Sequence, residues 1–334
     1  MFFVTKRIRK GAVAALAGGA IAFALAGCAG GAGSAAGGDC EPEKDVTIAY
    51  QPGLGYAALL MAKQEGSLEK ELPGTKVKWL ELNSGSAIRD GILAKEIHVG
   101  SGGTGPFLVG YDSGVDWKVL TGLNNMNLYL MVEDPKIQSL EDLKGAGSIA
   151  MPAPDSIQSV VLRKGADEEL GDAKALDSQI VSMGHPDGVQ ALIAGQLAGH
   201  LTSPPFQGQE ADAGARAILK SYDLFGEHTF NSVYTTTEFA QCNEEFTDAL
   251  VKVVVDANQR LTEQPEEAAQ VLAKEMGEPV ETVVAQVTAE DVAFTTKPIG
   301  FEKYAEFMQE IGLIKEVPDT EDLFFENETT SGAN

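Results

Sequence analysis

The amino-acid sequence predicts an α/β protein with two lobes, and three observations support this fold class. Short runs rich in β-branched residues alternate with amphipathic segments, which is typical of strand–helix–strand units in a parallel sheet. The alternation occurs twice, and each round ends in a similar segment, ILAKEIHVGSGGTGPF at 92–107 and LIAGQLAGHLTSPPF at 192–206. The 334 residues, of which 44% are hydrophobic, are enough for more than one domain.

The first round of strands and helices lies between residues 46 and 134. The patterns predict strands at 46–50, 77–82, 97–100, 116–123 and 128–134, with helices at 56–65, at 86–95 and from near Pro106. Trp79 and Trp117 fall inside predicted strands, so we expect them in the core.

The second round lies between residues 139 and 221, and the rest of the chain is mainly helical. The patterns predict a helical turn at 139–145, strands at 148–151, 179–183, 199–202 and 217–221, and helices at 156–169 and 187–194. Apolar residues at helical spacing predict a further helix at 248–261.

The first 27 residues have the pattern of an export signal. Four basic residues between Lys6 and Lys10 precede a small, apolar run from Gly11 to Ala26 that ends in Leu-Ala-Gly-Cys. The run is short and rich in glycine and alanine, whereas a membrane-spanning helix needs about 20 strongly apolar residues. The tetrapeptide resembles a bacterial lipobox, which implies that Cys28 carries lipid; the alternative is an ordinary signal peptide with a chance cysteine.

Residues 28–45 predict a flexible tether, because they contain few apolar side chains. A flexible linker of this length reaches about 20 Å. Cys40 lies in this tether and Cys242 precedes a helix, and in an exported protein the two cysteines are either oxidised to a disulfide or free. The sequence has no C-x-x-C and its four histidines are scattered, so we expect no metal site and no cofactor.

The charge of the chain excludes nucleic acid as a partner. Loss of the four basic residues of the signal takes the formal net charge from −24 to −28. Nucleic-acid binding depends on clustered Lys and Arg, and no such cluster follows the signal. The acidity favours solubility.

The two similar segments predict a binding cleft. Each places a small-residue loop at the carboxyl end of a strand, which is where ligands bind in open α/β sheets. Gly100 to Gly105 also satisfies the G-x-G-x-x-G spacing of a dinucleotide-binding loop, but Asp116 comes too early to be the acidic residue that binds ribose. We therefore interpret this stretch as one side of a solute clamp, with residues 201–206 as the other.

Five stretches resemble the solute-binding proteins of ABC importers, in the nitrate, sulfonate and taurine branch that includes thiamine-precursor binders. They lie at 48–66, 82–107, 115–132, 139–145 and 191–206. The resemblance implies the type II periplasmic binding protein fold, in which two Rossmann-like lobes are joined by two crossover strands and hold the ligand between them.

The resemblance also implies lobe bounds and site residues. Lobe one would comprise 46–125 and 231–325, lobe two 126–230, and the tail 326–334, with crossings near 124–130 and 226–233. Asn124 and Asn125 lie near the first crossing. The implied ligand-binding residues are Gln51, Gly53, Tyr56, Gly85, Ser86, Gly103, Thr104, Gly105, Asn125, Asp155, Ser156, Thr202 and Ser203. Loops and helix N-termini offer N–H and hydroxyl donors that favour an anion.

The function implied is capture of a small sulfonate-, nitrate- or taurine-like solute and its delivery to an ABC permease with its ATPase. We expect a monomer attached to the outer face of the membrane through the lipid on Cys28. The strong negative charge and the lack of an obvious arginine fork leave a neutral thiamine-precursor pyrimidine or a zwitterion as alternatives, and a ligand sensor shares the same cleft. We do not expect an enzyme, because G-x-S-x-G, H-E-x-x-H and P-loop motifs are lacking.

Overall fold

The computed structural model describes residues 40–333. The predicted signal peptide, Cys28 and the tether up to residue 39 lie outside the described residues. Residues from Glu41 onward form one compact unit. Cys40 and Cys242, whose oxidation state the sequence left open, are both disulfide-bonded.

Two sheets form the framework of the described chain. The strands, numbered in chain order, are β1 (Asp45–Tyr50), β2 (Lys76–Glu81), β3 (Val99–Gly103), β4 (Trp117–Met126), β5 (Tyr129–Val132), β6 (Ile149–Met151), β7 (Ile180–Ser182), β8 (Gly199–Thr202), β9 (Arg216–Lys220), β10 (Thr229–Thr236) and β11 (Val292–Ala293). The first sheet has the order β11-β4-β10-β3-β1-β2 and the second β7-β6-β8-β5-β9. Each round of alternation in the sequence thus builds most of one sheet.

Helices connect and cover these strands. They are α1 (Ala57–Glu65), α2 (Ser67–Glu71), α3 (Gly85–Leu93), α4 (Thr104–Asp112), α5 (Leu140–Leu143), α6 (Ile157–Leu170), α7 (His185–Ile193), α8 (Phe206–Asp212), α9 (Ser221–Phe225), α10 (Thr237–Cys242), α11 (Glu244–Glu263), α12 (Pro265–Met276), α13 (Val280–Val287) and α14 (Phe301–Glu310).

Both sheets are mixed, whereas the sequence predicted parallel sheets. β1 runs parallel to β2 and β3, but β10 is antiparallel to β3 and β4. In the second sheet β5 is antiparallel to β8 and β9. β11, at the edge of the first sheet, is also antiparallel to β4. β5 and β10 enter their sheets from the other sheet, so they are not joined to their neighbours by the helical crossover that keeps strands parallel.

The chain crosses between the sheets twice. We call residues 45–126 and 229–333 lobe one and residues 127–228 lobe two, according to the sheet that each segment joins. Hydrogen bonds tie the two crossings together: Leu128 N donates to Ser221 Oγ at 2.9 Å, and Tyr222 N donates to Asn127 Oδ1 at 3.0 Å. The crossings therefore form one hydrogen-bonded hinge.

The repeated segments have the same local structure. At the end of α3, the backbone N–H groups of residues 94, 95 and 96 donate to the carbonyl oxygens of residues 90, 92 and 91. At the end of α7, residues 194, 195 and 196 donate in the same way to residues 190, 192 and 191. Lys95 has a φ of 58° and Gly195 a φ of 67°. The likeness seen in the sequence thus reflects the same helix end in each lobe, although a lysine occupies a left-handed position that favours glycine.

The glycines of the G-x-G-x-x-G stretch serve packing. β3 extends to Gly103, three residues beyond the predicted strand, and α4 begins directly at Thr104. A Cβ on Gly100 would lie 2.6 Å from the ring of Tyr234 on β10. Glycine at this position lets the tyrosine cover the central strand.

The core is continuous beneath both sheets. Trp117 is buried and stacks on Phe107 with ring centroids 5.3 Å apart, as the strand pattern predicted. Trp79 is only half-buried at the edge strand β2. The predicted tail packs on lobe one, where Asn327 Nδ2 donates to Leu120 O at 2.8 Å.

Candidate functional site

A cavity lies between the lobes at the carboxyl ends of several strands. It has a volume of about 20 Å³, which is room for about one water molecule. Apolar walls come from both lobes: Pro52, Pro106, Pro152, Ile157 and Phe230. A larger solute therefore fits only if the lobes move apart or the lining side chains shift.

Lobe one lines the cavity with a chain of polar side chains. Gln51 Nε2 donates to the hydroxyl of Tyr56 at 2.6 Å, and that hydroxyl donates to Asn231 Oδ1 at 3.0 Å. Burial raises the pKa of Tyr56 well above its usual range, so the phenol stays neutral. Among the described residues Asn231 Nδ2 has no hydrogen-bond partner. Lobe one thus keeps a buried amide donor without a partner at this site.

Lobe two lines the opposite side with hydroxyl, amide and imidazole groups. Ser156 caps α6, where its Oγ accepts from Ser159 N at 3.2 Å. Gln158 Nε2 lies 3.1 Å from His185 Nε2, and the ring of Phe206 stacks on His185 with centroids 5.4 Å apart. Because Ser156 and Gln158 lie at the start of a 14-residue helix, its positive dipole end faces the cavity.

His185 continues into a buried set of titratable groups. Its Nδ1 lies 3.0 Å from His200 Nε2 and 3.2 Å from Thr202 Oγ1, and His200 Nδ1 lies 2.5 Å from Glu210 Oε1. Burial lowers the pKa of His185 well below its usual range and that of His200 to about 3. Burial also raises the pKa of Glu210 to about 8. Desolvation thus favours the neutral form of each group.

An ion pair joins the lobes beside the cavity. Asp155 of lobe two accepts from Arg89 Nη1 at 2.6 Å and from Ser86 Oγ at 2.5 Å, and both donors lie on α3 of lobe one. The two charged side chains are 17% and 20% exposed. We call Ser86, Arg89 and Asp155 the latch. Asp155 therefore has a positive partner, and the charge of Arg89 is already matched by the protein.

Six of the residues predicted to bind ligand line the cavity: Gln51, Tyr56, Gly85, Gly103, Ser156 and Ser203. Their shared feature is a position at a strand end or in the first turn of a helix. The structure thus brings these six residues together at one cavity between the lobes.

The other predicted residues lie around the cavity in different roles. Ser86 and Asp155 belong to the latch, and Thr202 contacts His185. Asn125 lies toward the hinge, where its Nδ2 donates to Glu227 Oε1 at 3.0 Å. Thr104 is buried at the start of α4.

Two predicted glycines mark where the lobes touch. A Cβ on Gly105 would lie 2.7 Å from Asp155 O, and one on Gly53 would lie 3.1 Å from the ring of Phe206. Gly53 also has a φ of 123°, which glycine tolerates best. Residues 103–105 therefore face residues 155–157. Residues 204–206 face residues 53 and 54, where Leu54 N donates to Pro204 O at 3.2 Å.

Sequence reasoning missed three polar residues of the cavity. Gln158, His185 and Asn231 line it, but none of them is among the predicted ligand-binding residues. A signal for His185 was present, because the 100-residue offset between the repeated segments also pairs it with Gly85. Both residues begin a helix that follows a strand.

Two further features were sought among the described residues: a cluster of metal ligands and a membrane-spanning helix. Within residues 40–333 no group of three or more His, Cys, Asp or Glu side chains is placed to hold a metal ion. No helix in this part of the chain is long and apolar enough to cross a membrane.

Known proteins share this architecture. A relative from Escherichia coli (strain K12), named for binding aliphatic sulfonates, is 27% identical over 312 residues, which cover 92% of this chain and 91% of the relative. The crystal structure of the periplasmic aliphatic sulphonate binding protein SsuA from Escherichia coli superposes with a TM-score of 0.65 at 22% identity, covering 85% of this chain and 98% of that one.

The periplasmic nitrate-binding protein NrtA from Synechocystis PCC 6803 superposes with a TM-score of 0.68 at 17% identity, covering 85% of each chain. These likenesses confirm the predicted fold class of two α/β lobes joined by crossover strands. The predicted resemblance to extracytoplasmic solute-binding proteins is also confirmed. The profile of the NMT1-like family matches residues 39–276, and because this match spans more than half of the sequence, the chain belongs to that family.

Proposed function

We propose that this chain is the extracytoplasmic solute-binding component of an ABC importer and that it holds its solute in the cavity between the lobes. The observation that carries the proposal is the composition of the cavity wall: polar groups from both lobes converge on it. Asn231 of lobe one and Ser203 of lobe two both line it. A solute bound to both groups stabilises the closed arrangement of the lobes.

The wall favours a small solute with acceptor oxygens. The orphaned amide of Asn231 and the N-terminus of α6 both offer hydrogen-bond donors. The relatives named for aliphatic sulfonates and for nitrate bind anions of this kind. We therefore propose an aliphatic sulfonate or a similar oxyanion over a neutral pyrimidine, with binding and not catalysis as the activity.

The proposed function also implies a membrane anchor and a membrane partner for this protein. We propose a lipid anchor on Cys28 and a monomer that presents its closed form to a permease and ATPase. The likeness to the ligand binding component of an ABC-type import system from Staphylococcus aureus, with a TM-score of 0.69 at 15% identity, supports the permease as partner. The lobes would close around the hinge formed by Asn127, Leu128, Ser221 and Tyr222.

A thermal-shift screen tests this proposal. The full chain is heated with ethanesulfonate, taurine, nitrate, bicarbonate or a pyrimidine, each over a range of concentrations. We expect ethanesulfonate to stabilise the protein, since a ligand at 100 times its Kd contributes about 2.7 kcal/mol to the free energy of unfolding.

The test variant is Asn231→Leu, which keeps a similar volume but removes the orphaned donor and also the oxygen that accepts from the Tyr56 hydroxyl. We expect the stabilisation by ethanesulfonate to be lost in this variant. A panel in which no compound raises the Tm would contradict solute binding, and an unchanged shift in Asn231→Leu would contradict the placement of the solute.

A further inference from the structure

A chain of buried hydrogen bonds runs from the cavity into lobe two and ends at a carboxyl group. Gln158 Nε2 lies 3.1 Å from His185 Nε2, His185 Nδ1 lies 3.0 Å from His200 Nε2, and His200 Nδ1 lies 2.5 Å from Glu210 Oε1. Gln158 and His185 line the cavity, whereas the side chains of His200 and Glu210 are 0% exposed behind them. The chain therefore connects the solute site to a carboxyl group that water does not reach.

With Glu210 ionised, every hydrogen bond in the chain has a fixed direction. The carboxylate accepts from His200 Nδ1–H, so His200 Nε2 is unprotonated and accepts from His185 Nδ1–H. His185 Nε2 then carries a lone pair and accepts from the amide of Gln158, whose Nε2 lies 3.1 Å away. In this state the nitrogen that faces the cavity is an acceptor.

With Glu210 protonated, every direction is reversed. The carboxyl O–H donates to His200 Nδ1, His200 Nε2–H donates to His185 Nδ1, and His185 Nε2 becomes an N–H donor. The two states differ by one proton, which enters at His185 Nε2 while two protons each shift along one hydrogen bond toward Glu210. Neither imidazole acquires a charge. The amide of Gln158 turns over to present its oxygen, or a solute oxygen takes its place.

We propose that Glu210 is a positioning residue of the solute site, which decides through His200 whether His185 offers the cavity a hydrogen-bond donor or an acceptor. In the protonated state His185 Nε2–H donates to a solute oxygen, so an anionic solute that meets the ionised state binds with uptake of one proton. This inference rests on the proposed function for its solute, but the protonation state of Glu210, His200 and His185 is a property of the protein alone.

The surroundings of Glu210 bring its protonated form within reach at ordinary pH. Glu210 Oε2 is buried and has no hydrogen-bond partner among the described residues. An unpaired carboxylate oxygen in such a place is costly, whereas a neutral carboxyl group is much less so. Burial raises the pKa of Glu210 to about 8, and no neighbouring charge contributes to this shift.

The other titratable groups on the packed elements do not take over this role. β6 carries none. Asp187 on α7 and Asp212 on α8 are exposed, Arg163 on α6 pairs with Asp177, and Tyr129 on β5 bonds Asp291. The proton that reverses the chain therefore belongs to the Glu210–His200–His185 set.

Nuclear magnetic resonance of the imidazole nitrogens in the solute-free full chain tests the inference directly. We expect His185 Nε2 to be protonated at pH 6 and unprotonated at pH 10, with a midpoint near pH 8. In Glu210→Gln, which has the same shape and no titrating proton, His185 should keep one tautomer throughout. His228 is the internal control, because burial holds its pKa at about 4 and it should not change in this range.

Calorimetry of ethanesulfonate binding at pH 9 in two buffers of different ionisation enthalpy completes the test. We expect close to one proton taken up per solute by the wild type and none by Glu210→Gln. A single His185 tautomer from pH 6 to 10, or the same titration in Glu210→Gln, would overturn the inference. If His185 titrates as expected but ethanesulfonate does not bind, the inference about the chain stands and the proposed solute is wrong.

Discussion

Replacing Asp155 by asparagine is expected to weaken solute binding by about 10- to 100-fold. The latch joins the lobes only when they are closed, and it consists of charge-assisted hydrogen bonds with groups no more than 20% exposed. Such bonds contribute about 1.5–3 kcal/mol each, and the affinity for a solute that selects the closed state falls by the same free energy. Titration calorimetry with ethanesulfonate measures this loss.

Asp177→Asn is the matched control for the latch. Asp177 pairs with Arg163 at 2.9 Å, but both residues lie within lobe two. We expect this variant to lower the free energy of unfolding and to leave the Kd for ethanesulfonate unchanged. Equal affinities in Asp155→Asn and the wild type would mean that the latch does not form in the solute-bound state.

Replacing Gly105 by alanine is expected to weaken solute binding at least tenfold while leaving each lobe folded. The added Cβ would lie 2.7 Å from the carbonyl oxygen of Asp155, and all of its nearest contacts belong to lobe two. Backbone atoms on both sides prevent an easy adjustment, so the lobes would have to stop short of this closure. Titration of ethanesulfonate and circular dichroism together separate closure from folding.

Gly208→Ala is the control for this substitution. Gly208 lies in α8 with no atom within 4 Å of an added Cβ, so alanine should leave the affinity unchanged and stabilise the helix by up to about 1 kcal/mol. Wild-type affinity in Gly105→Ala would show that the solute-bound lobes lie further apart than in this structure.

Much of the fold follows from local patterns in the sequence. Strand and helix positions depend on residues that are close along the chain, and the repeated segments at 92–107 and 192–206 correctly indicated two related units. The antiparallel strands β5 and β10 were not predictable in the same way. Their direction depends on the path of the chain between the lobes, which no short pattern encodes.

The position of the cavity could be predicted from the sequence, whereas the contacts between its side chains could not. Glycines and helix starts in the sequence correctly marked the carboxyl ends of strands. The rule that ligands bind at these ends depends on the topology of the sheet and not on individual contacts. The partner of Asp155 was not predictable, since Arg89 lies 66 residues away and meets it across the cleft. The sequence therefore indicated Asp155 only as a ligand-binding residue, whereas the structure pairs its carboxylate with the guanidinium of Arg89.

The role of His185 could not be predicted either, because it depends on contacts between distant parts of the chain. A lone histidine in a sequence without metal-ligand spacing is most simply interpreted as a core or surface residue. Its position in the cavity depends on α7 beginning where β7 ends, and its connection to Glu210 depends on β8 packing beside α8. Only the fold brings these elements together.

A crystal structure of the full chain with ethanesulfonate would show where the solute binds, because the sulfur atom of the solute can be located by its anomalous signal. We expect one sulfur peak in the cavity between the lobes, with sulfonate oxygens near Asn231 Nδ2 of lobe one and Ser203 of lobe two. A bound sulfonate whose sulfur lies outside this cavity, such as in the crevice between α8 and α13, would contradict this placement.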